Sequence, residues 1–325
     1  MEKYSPPFEI SKKMLTYVSS IYEKIENFKN NLRSKMNVRN NKIYSSLKIE
    51  ANSLSLSQVR DIIDGHLVIG EQKEIQEVKN AYNAYEKITL IDPFSIDMLN
   101  NMHAIMTKYL VNESGAFRRG EEGVFNGDKC IFMAPPAKLV PDLMNQLFNW
   151  MKRERRNIHP LILSAIFHYE FVFIHPYADG NGRMARLWHS AILTKWKPIF
   201  EFIPIESQIE KFQDDYYNAI AKCHSNGNLN VFIEFILEQI DNVLGEIIDK
   251  MKLNTELLSN YVLKMLNIME YDIPYSANET MVKLNLKSKE TFRKNYMGPA
   301  INKKLVKMTI PNKPTSKNQR YIRIK

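Results

Sequence analysis

The segment His175-Pro-Tyr-Ala-Asp-Gly-Asn-Gly-Arg-Met-Ala-Arg186 gathers an imidazole, a carboxylate, two glycines and two arginines into twelve residues. Gly180 and Gly182 let the backbone approach an anion closely and take up positive φ. The chain that follows, RMARLWHSAILTKW, reads as a helix starting near Gly182. The first N–H groups of a helix have no intrahelical partner, and its dipole favours negative charge there. Arg183 and Arg186, three apart, share a face of that helix and can both reach a polyphosphate. Asp179 is placed to hold a hard cation such as Mg²⁺, which would bridge phosphate oxygens. His175 stands at the rim, where an imidazole can take a proton from an attacking hydroxyl. Together these parts describe transfer of a phosphate-linked group to an alcohol, or its hydrolysis. Singly, each has a plainer reading: a turn, a solvated arginine pair, a capping histidine. The order and spacing of the whole favour one site. No Gly-Lys-Ser/Thr follows, so the segment is not a P-loop.

Such a site needs rigid neighbours. Residues 160–174, PLILSAIFHYEFVFI, are apolar nearly all round, which predicts a buried helix that ends at Pro176 and delivers His175. Upstream, three- and four-residue spacing predicts a helix within 8–34, and helices over 72–88, 94–110 and 139–153. Leu47 and Ile49 suggest a short helix ending near Asn52, and Ser57 reads as the N-cap of a helix that stops at Gly65. Residues 206–224 and 229–252 read as two further helices. Ahead of the last segment, only GVFNGDKCIFM, 123–133, reads as strand: Asn126-Gly127 between two apolar runs signals a hairpin. Beyond Asn254 come three short helical segments and two strand-like ones, LVKMTIP and QRYIRIK, which together describe a winged-helix module. The expected fold is all-α, with one small hairpin and a C-terminal winged-helix domain. Its divisions fall at 1–90, 91–252 and 253–325.

The motif at 175–186 resembles that of the Fic family, His-x-Phe-x-Asp/Glu-Gly-Asn-Gly-Arg-x-x-Arg, with Tyr177 in place of the usual Phe. The family is α-helical, and most members with this motif intact transfer AMP from ATP, with a divalent metal, to Ser, Thr or Tyr hydroxyls. The resemblance implies His175 as base, Asp179 as Mg²⁺ ligand, and Asn181 with the 180–182 backbone on the α-phosphate. Arg183 and Arg186 would hold the remaining phosphates. Residues 114–136 are similar to the family's flap, a hairpin whose Val124, Phe125, Asn126 and Gly127 would touch the nucleotide and whose edge could hold a target segment by strand pairing. A family segment similar to 214–229 carries a tyrosine pair that lines the adenosine pocket, here Tyr216 and Tyr217; core packing is the alternative for both.

SSLKIEAN, 45–52, resembles the inhibitory motif Ser/Thr-x-x-x-Glu-Gly/Asn, here Ser46 to Glu50. By that resemblance Glu50 pairs with Arg186, competes with the γ-phosphate and repels the nucleotide. Ala51 departs from the pattern, and Asn52 stands one place late. The implied protein is an autoinhibited adenylyltransferase acting on a target protein, and on itself. Two alternatives stay open. One is a hydrolase that removes AMP, with Glu50 positioning water. The other is a DNA-binding regulator with a nucleotide-sensing domain.

Composition bounds the rest. Hydrophobic residues are 44% and charged residues 25% of 325, as in a globular protein. Cys130 and Cys223 make neither a disulfide framework nor a zinc cluster, which suits a reducing, cytoplasmic setting. MEKYSPPFEI carries no signal pattern and no apolar run reaches transmembrane length, so no membrane partner is expected. The net charge of +9 is uneven: residues 283–325 hold 13 Lys/Arg and one acid, Glu290, leaving 32 bases against 35 acids elsewhere. That asymmetry suggests a nucleic acid such as DNA, or another polyanion, as partner of the C-terminal end, with a basic protein-interaction or dimerisation module as the alternative. A homodimer is compatible with the resemblance and has no signature in the sequence.

Overall fold

The computed structural model describes residues 4–28, 35–126, 129–256, 259–314 and 316–324. The chain divides into two compact units, one ending at Gly245 and the other running from Glu246. The first unit takes in residues on both sides of position 90.

That first unit is helical: α1 (Lys12–Phe28), α2 (Lys35–Ile49), α3 (Leu56–Ile63), α4 (Gln72–Tyr85) and α5 (Ile96–Met106) come before a hairpin of β1 (Gly123–Asn126) and β2 (Lys129–Met133). After it come α6 (Val140–Glu154), α7 (Pro160–Ile174), α8 (Asn181–Trp196), α9 (Ile205–Lys211), α10 (Gln213–Asn226) and α11 (Asn230–Glu256), the last crossing the division. The middle of the unit is the α7–α8 pair. Pro160 opens α7 at its first position, where no N–H is needed, and His159 accepts a hydrogen bond from the Leu161 N–H. All of α7 except Pro160, Val172 and Phe173 is buried, as its apolar surround predicts. Phe167 of α7 meets Phe148 of α6 edge-on at 5.8 Å, and Trp188 of α8 closes the cluster at 6.4 Å from both rings. The Trp188 indole donates to the Pro93 carbonyl at 3.0 Å, so its polar edge is satisfied in the core.

Three local expectations are corrected. The helix ending near Asn52 is long, Lys35–Ile49, because its buried face is largely polar: Asn40, Lys42, Ser45 and Ser46 are all inside. Such a face carries little apolar periodicity. The N-cap of α3 is Ser55, not Ser57, since Gln58 three residues on completes a capping box with it. The helix expected over 206–224 breaks at Phe212, where φ −116° and ψ 41° leave the helical region. In the hairpin, β1 and β2 pair antiparallel with a register shift between Val124 and Phe125. Gly127, at its turn, lies outside the described residues.

The second unit contains α12 (Asn260–Ile268), β3 (Pro274–Ser276), α13 (Ala277–Lys283), α14 (Lys289–Thr291), a π-helical stretch Phe292–Met297, α15 (Gly298–Asn302), β4 (Val306–Met308) and β5 (Arg320–Arg323). The strands form one antiparallel sheet in the order β3-β5-β4. Val262, Met265, Leu266, Phe292, Tyr296 and Ala300 form the core of this unit. Strand β3 is absent from the sequence reading, because three residues are too few to show alternation. Among the described residues no helix is long and apolar enough to cross a membrane.

Candidate active site

His175 is the C-cap of α7, with φ 51° and ψ 60°, a left-handed conformation that non-glycine residues rarely adopt and that turns the chain sharply off the buried helix. Its Nδ1 lies 3.3 Å from the Val172 carbonyl, which puts the ring proton on Nδ1 and leaves Nε2 as the acceptor. Burial, above all, lowers the imidazole's affinity for a second proton, and the nearby Arg118 adds to this. The group is therefore neutral at pH 7, the form that accepts a proton.

The loop after His175 is held by its own side chains. Asn181 Nδ2 donates to the Tyr177 carbonyl at 2.7 Å, and Asn181 Oδ1 accepts from the Tyr177 N–H at 2.9 Å. The Asn181 side chain is thereby committed to closing the loop, which leaves its backbone N–H for a ligand. Tyr177 is buried, stacks on His103 at 3.6 Å and donates to Asn100 Oδ1 at 2.7 Å. His103 in turn donates from Nε2 to the Asp179 carbonyl at 2.9 Å and accepts the Gly115 N–H on Nδ1. Gly180, at φ 82°, is the N-cap of α8 and sits so close to Thr107 that a Cβ would meet its methyl group at 2.9 Å. Gly182 is a different case: a Cβ there would overlap the Glu50 carboxylate. No hydrogen bond is accepted from the N–H groups of Asn181, Gly182 or Arg183 among the described residues, and the Glu50 carboxylate stands over Gly182. These donors and the helix dipole make an anion site that Glu50 covers in part.

Both arginines are buried. Arg186 Nε donates to Ser46 Oγ at 3.0 Å, and its Nη2 donates to the Ser46 carbonyl at 2.8 Å and to Glu50 Oε1 at 2.7 Å. Arg183 pairs with Asp179 Oδ1 at 2.9 Å and with Glu77 Oε1 at 3.5 Å, while its Nε and Nη1 are buried without a hydrogen-bond partner. Buried donors left over in this way suit a ligand with several oxygens. Asp179 keeps an accessible carboxylate, with 39% of the side chain exposed. Among the described residues no group of three or more His, Cys, Asp or Glu is arranged to hold a metal. One carboxylate fits a Mg²⁺ that takes its other ligands from substrate phosphates and water.

Two groups that touch this site carry no signal in the motif. Glu77 of α4 accepts from Asn52 Nδ2 at 2.9 Å while facing Arg183, so it joins the end of the α2 turn to the motif. Arg118, wholly buried, donates to the carbonyls of His175 at 2.7 Å, Gly120 at 2.8 Å and Pro135 at 2.5 Å. Adjacent Arg118-Arg119 in sequence gives no hint which of the two is inside.

The tyrosine pair separates. Tyr216 is 2% exposed, its hydroxyl lies 3.0 Å from His168 Nε2, and it stands within electrostatic reach of Arg186 and Glu50. Tyr217 is 47% exposed. Val124, Phe125 and Asn126 lie on β1, and their side chains, with Gly127, are outside the described set.

Comparison with known proteins follows the same outline. Residues 93–193 match the Fic/DOC family, and residues 260–324 match the family described as Filamentation induced by cAMP protein Fic-like, C-terminal domain. Protein adenylyltransferase Fic of Nematostella vectensis is 31% identical over 207 residues, 60% of this chain and 45% of that protein. That of Drosophila mojavensis is 28% identical over 213 residues, 62% of this chain and 40% of that protein. The chain thus spans less than half the length of these curated relatives. The crystal structure of a Fic family protein from Desulfovibrio desulfuricans G20 superposes with a TM-score of 0.73, at 37% identity over 98% of both chains. A fragment of Fic-1 from C. elegans shares the fold at a TM-score of 0.60, covering 75% of this chain and 73% of its own. With its helical core, small hairpin, motif and near-complete coverage of a solved relative, this chain belongs to the Fic family.

Proposed function

We propose that this chain is an autoinhibited protein adenylyltransferase, transferring AMP from ATP to a Ser, Thr or Tyr hydroxyl of a target protein or of itself. One observation carries the reading: a half-buried imidazole that keeps Nε2 free, ahead of a helix N-terminus whose first N–H groups find no acceptor among the described residues and which two buried arginines flank. In this reading a target hydroxyl oxygen attacks the α-phosphorus, its proton passes to His175 Nε2, and the bond to the pyrophosphate oxygen breaks. The products are an AMP ester and pyrophosphate. The N–H groups of 181–183 stabilise charge on the α-phosphate, and Arg183 and Arg186 bind the leaving phosphates. A Mg²⁺ bound at Asp179 would neutralise phosphate charge. The hairpin edge of β1–β2 holds the target segment.

Glu50 supplies the inhibition. Its carboxylate takes the Arg186 nitrogen that a γ-phosphate needs, and it fills the space over Gly182. The test is incorporation of labelled AMP by wild type, Glu50→Gly and Glu50→Gly/His175→Ala. The expected order is weak, at least tenfold stronger, and none, a tenfold change corresponding to about 1.4 kcal/mol. Equal labelling by wild type and Glu50→Gly would sink the inhibitory reading.

A second reading rests on the partial exposure of Glu50, whose side chain is 35% accessible beside the anion site. That carboxylate could orient a water for removal of AMP from a modified target. Release of AMP by wild type but not by Glu50→Gly would favour hydrolysis as the main activity.

A further inference from the structure

We propose that the C-terminal unit binds the phosphate backbone of duplex DNA, through a basic cleft between α13, the 289–302 helical stretch and the β4–β5 hairpin. Helix, strand, two helices and a hairpin, with the sheet in the order β3-β5-β4, form a winged-helix arrangement. In it the third helix and the hairpin are the parts left for a partner. The cleft measures about 300 Å³. Asn278, Lys289, Arg293 and Lys317 line it, and among the described residues no acidic side chain does.

The charge there is unneutralised. Lys289, Arg293 and Lys317 are exposed, and no carboxylate among the described residues pairs with them. Glu279 stands nearby but is engaged elsewhere: it accepts the Ser276 N–H at 2.7 Å within a capping box and pairs with Arg320 at 3.4 Å. Lys289 and Arg293 come from the helix and Lys317 from the hairpin, so the cations close on an anion from two sides. Lys294, Lys307 and Lys313, also exposed, add charge to the same unit. A sequence of 13 bases to one acid over 283–325 concentrates this charge in one unit. Electrostatic attraction of this kind is what counterion release from a nucleic acid rewards. Duplex DNA fits better than duplex RNA, because the B-form major groove admits a helix and the deep, narrow A-form groove does not.

The experiment is fluorescence anisotropy of the full chain with a mixed-sequence 20-base-pair duplex, across a salt series. Binding should weaken with salt, with a log–log slope near −0.9 for each phosphate contacted, so about −3 for three cations. Lys289→Glu/Arg293→Glu/Lys317→Glu should lower affinity at least tenfold at low salt and flatten the slope. A control with the same charge change away from the cleft, Lys12→Glu/Lys73→Glu/Lys138→Glu, should bind as wild type does. No duplex binding at low salt, an equal loss in the control, or tighter binding to duplex RNA or to an acidic polypeptide than to DNA would each overturn the proposal. The readout is independent of AMP transfer.

A different observation carries a second inference, which rests on the proposed transfer reaction. We infer that Arg118 is a positioning residue that fastens both ends of the hairpin to the base. Its guanidinium joins the Gly120 and Pro135 carbonyls, before β1 and after β2, to the His175 carbonyl, and its own N–H donates to the Pro176 carbonyl at 2.9 Å. Lysine keeps the charge but cannot span three carbonyls as a planar fork can. In a Glu50→Gly background, Arg118→Lys should leave the KM for ATP unchanged, cut kcat at least tenfold and speed amide exchange over 129–134. Arg118→Met should in addition move the NMR titration of His175 upward, since a cation near the ring is lost. Arg118→Lys with parental kcat and parental exchange would overturn the inference. If the parent transfers no AMP, the transfer reading fails while exchange and titration still decide the role of Arg118.

Discussion

Arg186 has two partners competing for one nitrogen. In the structure the Nη2 that holds Glu50 also holds the Ser46 carbonyl, so a phosphate can gain the group only by moving Glu50. Removing the carboxylate leaves Arg186 still bonded to Ser46, which is why Glu50→Gly should activate and not unfold. Removing Arg186 instead would strand Glu50 and Ser46 together. His175 makes a separate claim at this scale. Its burial, with Arg118 behind it, holds the imidazole pKa below the ordinary 6.5. A base works only when unprotonated, so transfer by Glu50→Gly should fall on the acid side, with its midpoint below pH 6.5. A pH–rate profile checks this; a midpoint at or above 6.5 contradicts His175 as a buried base.

At the scale of elements, α2 matters most. Lys42, fully buried, donates to the Phe200 carbonyl at 3.2 Å and lies 3.8 Å from Glu206, which also receives Tyr85 and Ser190. One turn on, Ser45 meets Ser207 at 3.0 Å and Ser46 meets Arg186. The helix is therefore anchored along its polar buried face, and Glu50 is at its C-terminal end. That end is strained. Ala51 takes φ 64°, where the Cβ costs roughly 1 kcal/mol relative to glycine. Asn52 and Ser53 secure the turn beyond it through Glu77 and Glu74. Ala51→Gly should raise the melting temperature by about 2–4 °C, the shift that 1 kcal/mol gives in a domain of this size. It should also lower basal AMP transfer, because the carboxylate is held more firmly. Calorimetry and labelling check both; a lower melting temperature would count against strain at Ala51.

Across the whole molecule, buried histidines set the response to acid. Burial foremost lowers His103 and His189 to about 4, and lowers His168 well below its usual value. The unfolded chain binds protons at these groups near pH 6.5 and the folded chain does not. Their stabilisation is complete above 6.5 and is lost as pH falls toward 4. Melting temperatures measured from pH 7.5 to 4.5 should decline through that window, and a flat profile would refute it. At this scale the limits of the sequence are also plain. By itself it determined that the polar groups of 175–186 share one loop and helix start, since they occupy adjacent positions. It determined the buried α7, since an all-apolar helix has no solvent face, and the basic C-terminal segment, since charge is counted without a fold. Only the tertiary structure decided which groups meet across distance. It brought Glu77 to Arg183 and Arg118 to His175, and placed Tyr216 in the core while Tyr217 faces solvent. Those outcomes depend on packing between segments far apart in the chain, where local periodicity carries no information and burial alone selects the partners.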